Sequence, residues 1–221
     1  MKILKLKLYQ ETACYKKPFA TKVAETYPLP PYSTVIGMLH KILQAKSGEY
    51  FPMNVSIQGN YESIFSNYQS LRMYKGKDKV TSMPRNVHQL LGVHLIIHVQ
   101  AEDDVIEKIY NNVVNGVETF TLGRNEDLVR VDGIKILGNV SEAEEVDVIN
   151  SAYIPEWIDA KISGISYRLN TTYKIKNDLR YWDKVNVKYV EKSTNMGVYF
   201  ALIDEDGDQI YFYSKELPHL I

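Results

Sequence analysis

The sequence predicts an α+β protein in two parts. A β-α-β-β-α-β domain spans residues 1–140, with an inserted hairpin at about 66–92, and a small β-rich lobe follows over 141–221. Three observations carry this expectation. Period-two apolar alternation marks strands, apolar spacing of three and four marks two helices, and turn residues separate short Val-, Ile- and Tyr-rich segments near the C-terminus.

Residues 2–9 alternate Ile3, Leu4, Leu6 and Leu8 with Lys5 and Lys7, which predicts a first strand. Pro28-Leu29-Pro30-Pro31 then holds the chain extended. Ser33 or Thr34 is expected to cap a helix carrying Val35, Ile36, Leu39, Ile42 and Leu43, stopped at Ser47-Gly48. Residues 55–65 and 93–100 predict the second and third strands. Asp103 or Asp104 opens a second helix with Val105, Ile106, Ile109, Tyr110 and Val113 on its buried face and Gly116 at its end. Residues 128–137, turned at Asp132-Gly133, give a fourth strand. This order is the ferredoxin-like (RRM-like) arrangement, an antiparallel sheet backed by two helices. After an acidic stretch over 141–159, segments near 162–175, 184–191, 196–204 and 208–214 read as strands, with turns at Asn195-Met196-Gly197 and Asp206-Gly207-Asp208.

The formal net charge of −1 conceals a division, because residues 1–98 hold 13 Lys/Arg against 5 Asp/Glu while residues 99–221 hold 13 against 22. A basic half suggests a polyanionic partner. Seventeen tyrosines suggest surfaces that are apolar on the ring and wet at the hydroxyl. The single Cys14 leaves no pair for an internal disulfide and fits a reducing, cytoplasmic setting. The most apolar run, Leu95-Ile96-Ile97, lies between His94 and His98 and is far short of a membrane span, so no membrane partner is expected.

Four features could carry chemistry. The 66–92 insertion places Arg72, Lys75, Lys77, Lys79 and Arg85 beside Tyr68, Tyr74 and Met83, combining phosphate neutralisation with side chains that stack or wedge against bases. A solvated basic hairpin fits the same residues. The start of the first helix, Ser33-Thr34 with Gly37 one turn in, suits a phosphate, although ordinary capping accounts for it too. Gly123-Arg124-Asn125 could form a phosphate-contacting turn, or a loop with a solvated arginine. Residues 167–192 carry Arg168, Lys174, Lys176, Arg180, Lys184, Lys188 and Lys192 with Tyr167, Tyr173, Tyr181, Trp182 and Tyr189. They read equally as a second nucleic-acid surface or as a strand pair with Tyr inward and Lys solvated. Lys16 and Lys17 add to the basic N-terminal region. His94 and His98 share a strand face but lack accompanying metal ligands, and His40 beside Lys41 could act as a general acid or base in RNA cleavage or be a buried structural histidine. No P-loop, nucleophile elbow or dinucleotide fingerprint occurs, and no cofactor is expected.

The run Leu6-Lys7-Leu8-Tyr9-Gln10-Glu11-Thr12-Ala13, followed by Glu25-Thr26-Tyr27-Pro28-Leu29-Pro30-Pro31-Tyr32-Ser33-Thr34-Val35-Ile36-Gly37, resembles the N-terminus of the CRISPR-associated Cas family five, of the RAMP superfamily. The type I-B branch is the most similar, and Leu122-Gly123-Arg124-Asn125-Glu126-Asp127 sits where that family carries a turn after its second helix. The resemblance covers the first lobe. It implies an RNA-binding subunit of the Cascade effector complex in antiviral defence, which grips the 5′ handle of the crRNA and caps the backbone filament. The "thumb" of such proteins maps onto residues 66–92. The partners so implied are crRNA, the backbone subunit and the large PAM-reading subunit, with target DNA reached indirectly through the complex. The RNA-binding residues expected are Lys16, Lys17, Ser33, Thr34, Gly37, Arg72, Tyr74, Lys75, Lys77, Lys79, Met83, Arg85, Gly123, Arg124 and Asn125. The type I-C branch cuts precursor RNA with a Tyr and an adjacent Lys-His pair. Only the reversed His40-Lys41 occurs here, so a non-catalytic subunit is expected, the alternative being a metal-independent endoribonuclease.

Overall fold

The computed structural model describes residues 2–18, 20, 22–74, 79–116 and 119–217, with backbone alone at 193–196, 199 and 200. Its elements run β1 (Lys2–Ala13), β2 (Val23–Ala24), α1 (Tyr32–Ile42), β3 (Met53–Asn60), β4 (Ser63–Tyr74), β5 (Val80–Ala101), α2 (Asp103–Val114), β6 (Phe120–Thr121), β7 (Leu128–Leu137), β8 (Val140–Val148), β9 (Ser151–Pro155), β10 (Ile165–Lys176), β11 (Leu179–Val190), β12 (Ser193–Asp204) and β13 (Gln209–Ile210). Strand makes up 57% and helix 11%, so the fold is α+β but mostly β.

One large sheet has the order β10-β11-β9-β3-β5-β1-β7-β6, and a three-stranded sheet has the order β13-β12-β8. In the large sheet each neighbouring pair of β3, β5, β1 and β7 is antiparallel. The alternation in β1 works as the sequence dictates. Leu4, Leu6 and Leu8 are buried with Val55, Ile57, Leu95, Ile97 and Val99 against α1 and α2. The opposite parity holds Lys5, Ser56, Gln58 and His98, which the small sheet covers: Gln58 donates to Gln209 O at 2.6 Å, and the Tyr211 N–H donates to Ser56 Oγ at 2.8 Å. The strands after residue 150 divide between the sheets, since β9 pairs with β3 and extends the large sheet through β11 to β10.

Several elements differ from expectation. The strand expected over 55–65 is two, because β3 ends at Asn60 and β4 begins at Ser63. The insertion is the outer part of a hairpin, and β5 runs unbroken from Val80 for 22 residues into the sheet core. Gly92 marks where it leaves the body: at φ +59° it adopts a conformation unfavourable for other residues, and a Cβ there would lie 2.6 Å from Glu62. The helix caps expected at Ser33 or Thr34 and at Asp103 or Asp104 fall instead on Pro31 and Glu102, without a side-chain hydrogen bond at either. Asp132-Gly133 is no turn; β7 continues through it with a bulge opposite Lys7 and Leu8. Asn195-Met196-Gly197 likewise lies within β12, at a register shift between Ser193 and Gly197. Part of the tyrosine surplus is internal, since Tyr15, Tyr32, Tyr153, Tyr189, Tyr211 and Tyr213 are buried. Tyr32 packs against Tyr153 and Tyr213, and Tyr153 against Tyr189.

Candidate nucleic-acid interface

Lys16 stands at the junction of two clefts. After β1 the chain turns back on itself: Lys16 bridges to Thr26, the Lys17 N–H donates to Glu25 O at 2.8 Å, and the Tyr27 N–H donates to Tyr15 O at 2.8 Å. This leaves the Lys16 side chain exposed on the rim.

The first cleft, of about 360 Å³, lies between the β4–β5 hairpin and the turn after β6. Lys16, Arg72, Arg85 and Arg124 line it, with Glu126 as the only carboxylate among the described residues. Arg85 donates from Nη2 to Ala20 O at 3.1 Å, while its Nε is buried without a partner among the described residues. Arg124 is pinned rather than solvated. Its guanidinium donates to Asp127 Oδ1 from Nη2 at 2.7 Å, and its own N–H donates to Asp127 Oδ2 at 2.8 Å. Asp127 is fully buried and also accepts the Cys14 N–H at 3.0 Å. Burial alone would lower the Arg124 pKa, but the hydrogen bond and charge of Asp127 outweigh it and the net shift is upward, so the cation persists. Gly123 permits this turn: its φ is +107°, and a Cβ would lie 2.8 Å from Asp127 Oδ2.

The second cleft, of about 380 Å³, is lined by Lys16, Pro18, Pro31, Ser33 and Thr34 on one side and by Arg168, Asn170, Trp182 and Lys184 of the β10–β11 hairpin on the other. Ser33 and Thr34 lie in the first turn of α1, whose N-cap Pro31 offers its amides no side-chain oxygen. Among the described residues the lining contains no carboxylate.

The clefts thus gather seven of the expected residues into one region: Lys16, Ser33, Thr34, Arg72, Arg85 and Arg124, with Gly123 shaping the Arg124 turn. Asn125 is exposed in the same turn. Lys17 is drawn off to Glu25 at 3.4 Å. Gly37 is exposed on α1 with open space around it, so no backbone among the described residues makes the close approach expected there. Tyr74, Lys79 and Met83 lie exposed on the β4–β5 hairpin, outside both clefts. Lys75 and Lys77 lie outside the described residues. Five contributors were not among the expected RNA-binding residues. Asp127 was hidden because its partner Cys14 is 113 positions away. Arg168, Asn170, Trp182 and Lys184 belong to the 167–192 segment, whose composition alone left its role open.

The model for the family described as CRISPR-associated protein (Cas_Cas5) matches residues 3–191. The chain belongs to this Cas5 family. Its fold is similar to that of a chain in a CRISPR RNA-guided surveillance complex, at 12% identity and a TM-score of 0.60 over 87% of this chain and 90% of that one. Weaker likenesses are to a CRISPR protein from Archaeoglobus fulgidus (10% identity, TM-score 0.49, covering 98% and 100%) and to a chain of the Type III-B Cmr-beta complex bound to cognate target RNA and AMPPnP (14%, 0.46, covering 90% and 86%). No curated protein sequence matches.

Three of the histidines of this Cas5 chain sit in different settings. His40 donates from Nδ1 to Ile36 O at 2.8 Å and accepts the Phe51 N–H at Nε2 at 3.0 Å, so both ring nitrogens are engaged; burial lowers its pKa despite the Ile36 bond. His94 is exposed and packs on Tyr9, whereas His98 is fully buried against Asp204. Among the described residues no His, Cys, Asp or Glu group is arranged to hold a metal, and no helix is long and apolar enough to cross a membrane.

Proposed function

We propose that this Cas5 chain is a non-catalytic, RNA-binding subunit of a type I CRISPR Cascade effector complex, of the type I-B branch and acting in the cytoplasm. In this reading it grips and caps the 5′ handle of the crRNA. The observation that carries the proposal is the convergence of Lys16, Arg72, Arg85 and Arg124 on one cleft, from segments far apart in sequence. A solvated basic hairpin would have no reason to turn its arginines toward the Arg124 turn. Phosphates are the natural ligands of such a cluster. The strand order β3-β5-β1-β7, with α1 after β1 and α2 after β5, supports reading the first lobe as ferredoxin-like. The backbone subunit and the large PAM-reading subunit are the proposed protein partners. His40 is assigned a structural role because both its nitrogens are occupied.

The test uses the complex co-expressed with its genomic neighbours. Handle RNA should bind with steep salt dependence, and a Lys16→Gln/Arg72→Gln/Arg85→Gln variant should reduce the log–log salt slope by about 2, or about 0.7 for each phosphate no longer neutralised. Absent or salt-independent binding would overturn the proposal. Cleavage of repeat RNA in EDTA by the pure chain, abolished in His40→Ala, would favour the endoribonuclease instead.

A further inference from the structure

We infer that the cleft between the start of α1 and the β10–β11 hairpin is a stacking pocket for a single unpaired nucleotide, with Trp182 as the platform for the base and Lys16, Arg168 and Lys184 as the phosphate ligands. The inference rests on the RNA-binding reading and adds to it a second arm, built from the C-terminal part of the chain.

The hairpin's register builds this face. Arg168 stands opposite Asn186 and Asn170 opposite Lys184, so these four side chains share one side of the ribbon. Strict alternation would send Tyr173 to the other side. Instead the register shifts between Asn170 and Tyr173, two residues of β10 opposing Asp183 alone, and Thr171 and Thr172 fix the bulge by donating to Asp183 O at 3.2 Å and Asp183 Oδ2 at 3.1 Å. Tyr173 therefore faces Trp182 on the same side as Asn170 and Lys184. Arg180 lies 4.7 Å from the Tyr173 ring centroid, and the Tyr173 and Trp182 rings are 4.9 Å apart and tilted by 55° to each other. The Trp182 indole lines the cleft and offers a base one aromatic face there.

Charge and size select the ligand. Lys16, Arg168 and Lys184 are exposed and form no ion pair with any carboxylate among the described residues, so their charge is available to a phosphate. A volume of about 380 Å³ accommodates one nucleotide. Sequence-tolerant binding of single strands combines these two elements, an aromatic platform and a cationic track. Lys16 lines both clefts, which makes the track continuous from Arg124 to Trp182. A free mononucleotide offers the same base and phosphate chemistry, and the experiment separates it from a strand.

The co-expressed complex is irradiated with bound handle RNA and digested with trypsin, which releases Tyr181-Trp182-Asp183-Lys184 as one peptide. A nucleotide cross-linked to this peptide is the expected result. Millimolar AMP should leave the cross-link intact, while Trp182→Ala should weaken RNA binding about tenfold with the salt slope unchanged, and Trp182→Phe should retain most of the affinity. Arg168→Gln/Lys184→Gln should lower the slope by about 1.4. A cross-link confined to other peptides, with the Lys16/Arg72/Arg85 variant still impaired, would overturn the pocket and leave the broader reading standing. Complete failure of the wild-type complex to bind RNA would overturn both. Displacement of the cross-link by AMP would make the cleft a mononucleotide site. Should Trp182→Ala fail to assemble, the cross-link and Trp182→Phe decide.

Discussion

Lys5 Nζ lies 2.6 Å from Asp204 Oδ2, in a pair whose side chains are 2% and 0% exposed. Asp206 and Asp208 close on the same ammonium at 2.8 and 2.5 Å, and His98 Nε2 reaches Asp204 at 3.0 Å. The turn expected at Asp206-Gly207-Asp208 is thus directed inward and clasps the loop between β12 and β13 onto β1.

Removing one member of this clasp should therefore be costly. Lys5→Met leaves Asp204 buried without its cation, and Asp204→Ala leaves the ammonium short of its most deeply buried partner. Each should cost about 3–5 kcal/mol, whereas Lys5→Met/Asp204→Leu should cost less than the sum of the singles. Urea denaturation of the four proteins measures this, and additivity would show that the pair is not coupled.

Acid should weaken the fold in two stages. Burial alone would raise the Asp204 pKa, but hydrogen bonds from His98, Lys5 and the backbone N–H groups of Asp208 and Asp206 hold it well below the usual carboxylate range. A depressed carboxyl contributes stability above its unfolded value near 3.8 and loses it as pH falls toward the folded value. The histidines act earlier. Burial, the largest influence, lowers His98 and His40, so their neutral forms favour the fold, and that contribution declines as pH drops below about 6.5. Stability measured against pH should fall between pH 6.5 and 5 by at most about 1.4 kcal/mol per pH unit for each histidine. It should then fall again below pH 4, and His40→Gln should flatten only the first limb.

What the sequence disclosed depended on whether burial was one-sided. β1, α1, α2 and β7 were legible because each buries one face, so Leu4-Leu6-Leu8 or Val105-Ile106-Ile109 states its own period. The extent of the β4–β5 hairpin was not legible, because nearly all of β4 is exposed on both faces and no alternation is imposed on it. The helix caps misled because Ser33 and Thr34 satisfy the compositional rule while Pro31 takes the position. In the site, the basic residues were visible but their grouping was not. The bulge at Thr171-Thr172 reverses side-chain parity, which no count of charges reveals, and Asp127 is recognisable only once Cys14 and Arg124 stand beside it.

The Arg124 turn should fail through either of its two supports. Gly123→Ala places a Cβ 2.8 Å from Asp127 Oδ2 and 3.1 Å from Cys14 O at a φ of +107°, so both sterics and backbone oppose it. Asp127→Ala removes the acceptor of the Cys14 and Arg124 N–H groups and should cost about 1–3 kcal/mol. Because Arg124 lines the first cleft, both variants should also weaken handle RNA binding by the complex, and Arg124→Lys should not restore it, since an ammonium cannot reproduce the fork held by Asp127. Undiminished RNA affinity in Asp127→Ala would show that the turn does not position a ligand contact.

The exposed rings of the β4–β5 hairpin should separate binding from stability. Tyr68 and Tyr74 are each 73% exposed and on the same face of β4, six residues apart, so the body of the protein supplies no packing that would account for them. Surface substitutions of this kind usually change stability by less than about 0.5 kcal/mol. Tyr68→Ser/Tyr74→Ser should therefore melt with the unmodified chain. In the complex the same variant should lose RNA affinity by about fivefold or more, as expected when one base loses an aromatic partner, and the salt slope should not change because no charge is removed. A drop in melting temperature with RNA affinity intact would instead assign these tyrosines to the fold, and would leave the arginines of the first cleft as the hairpin's contribution to binding.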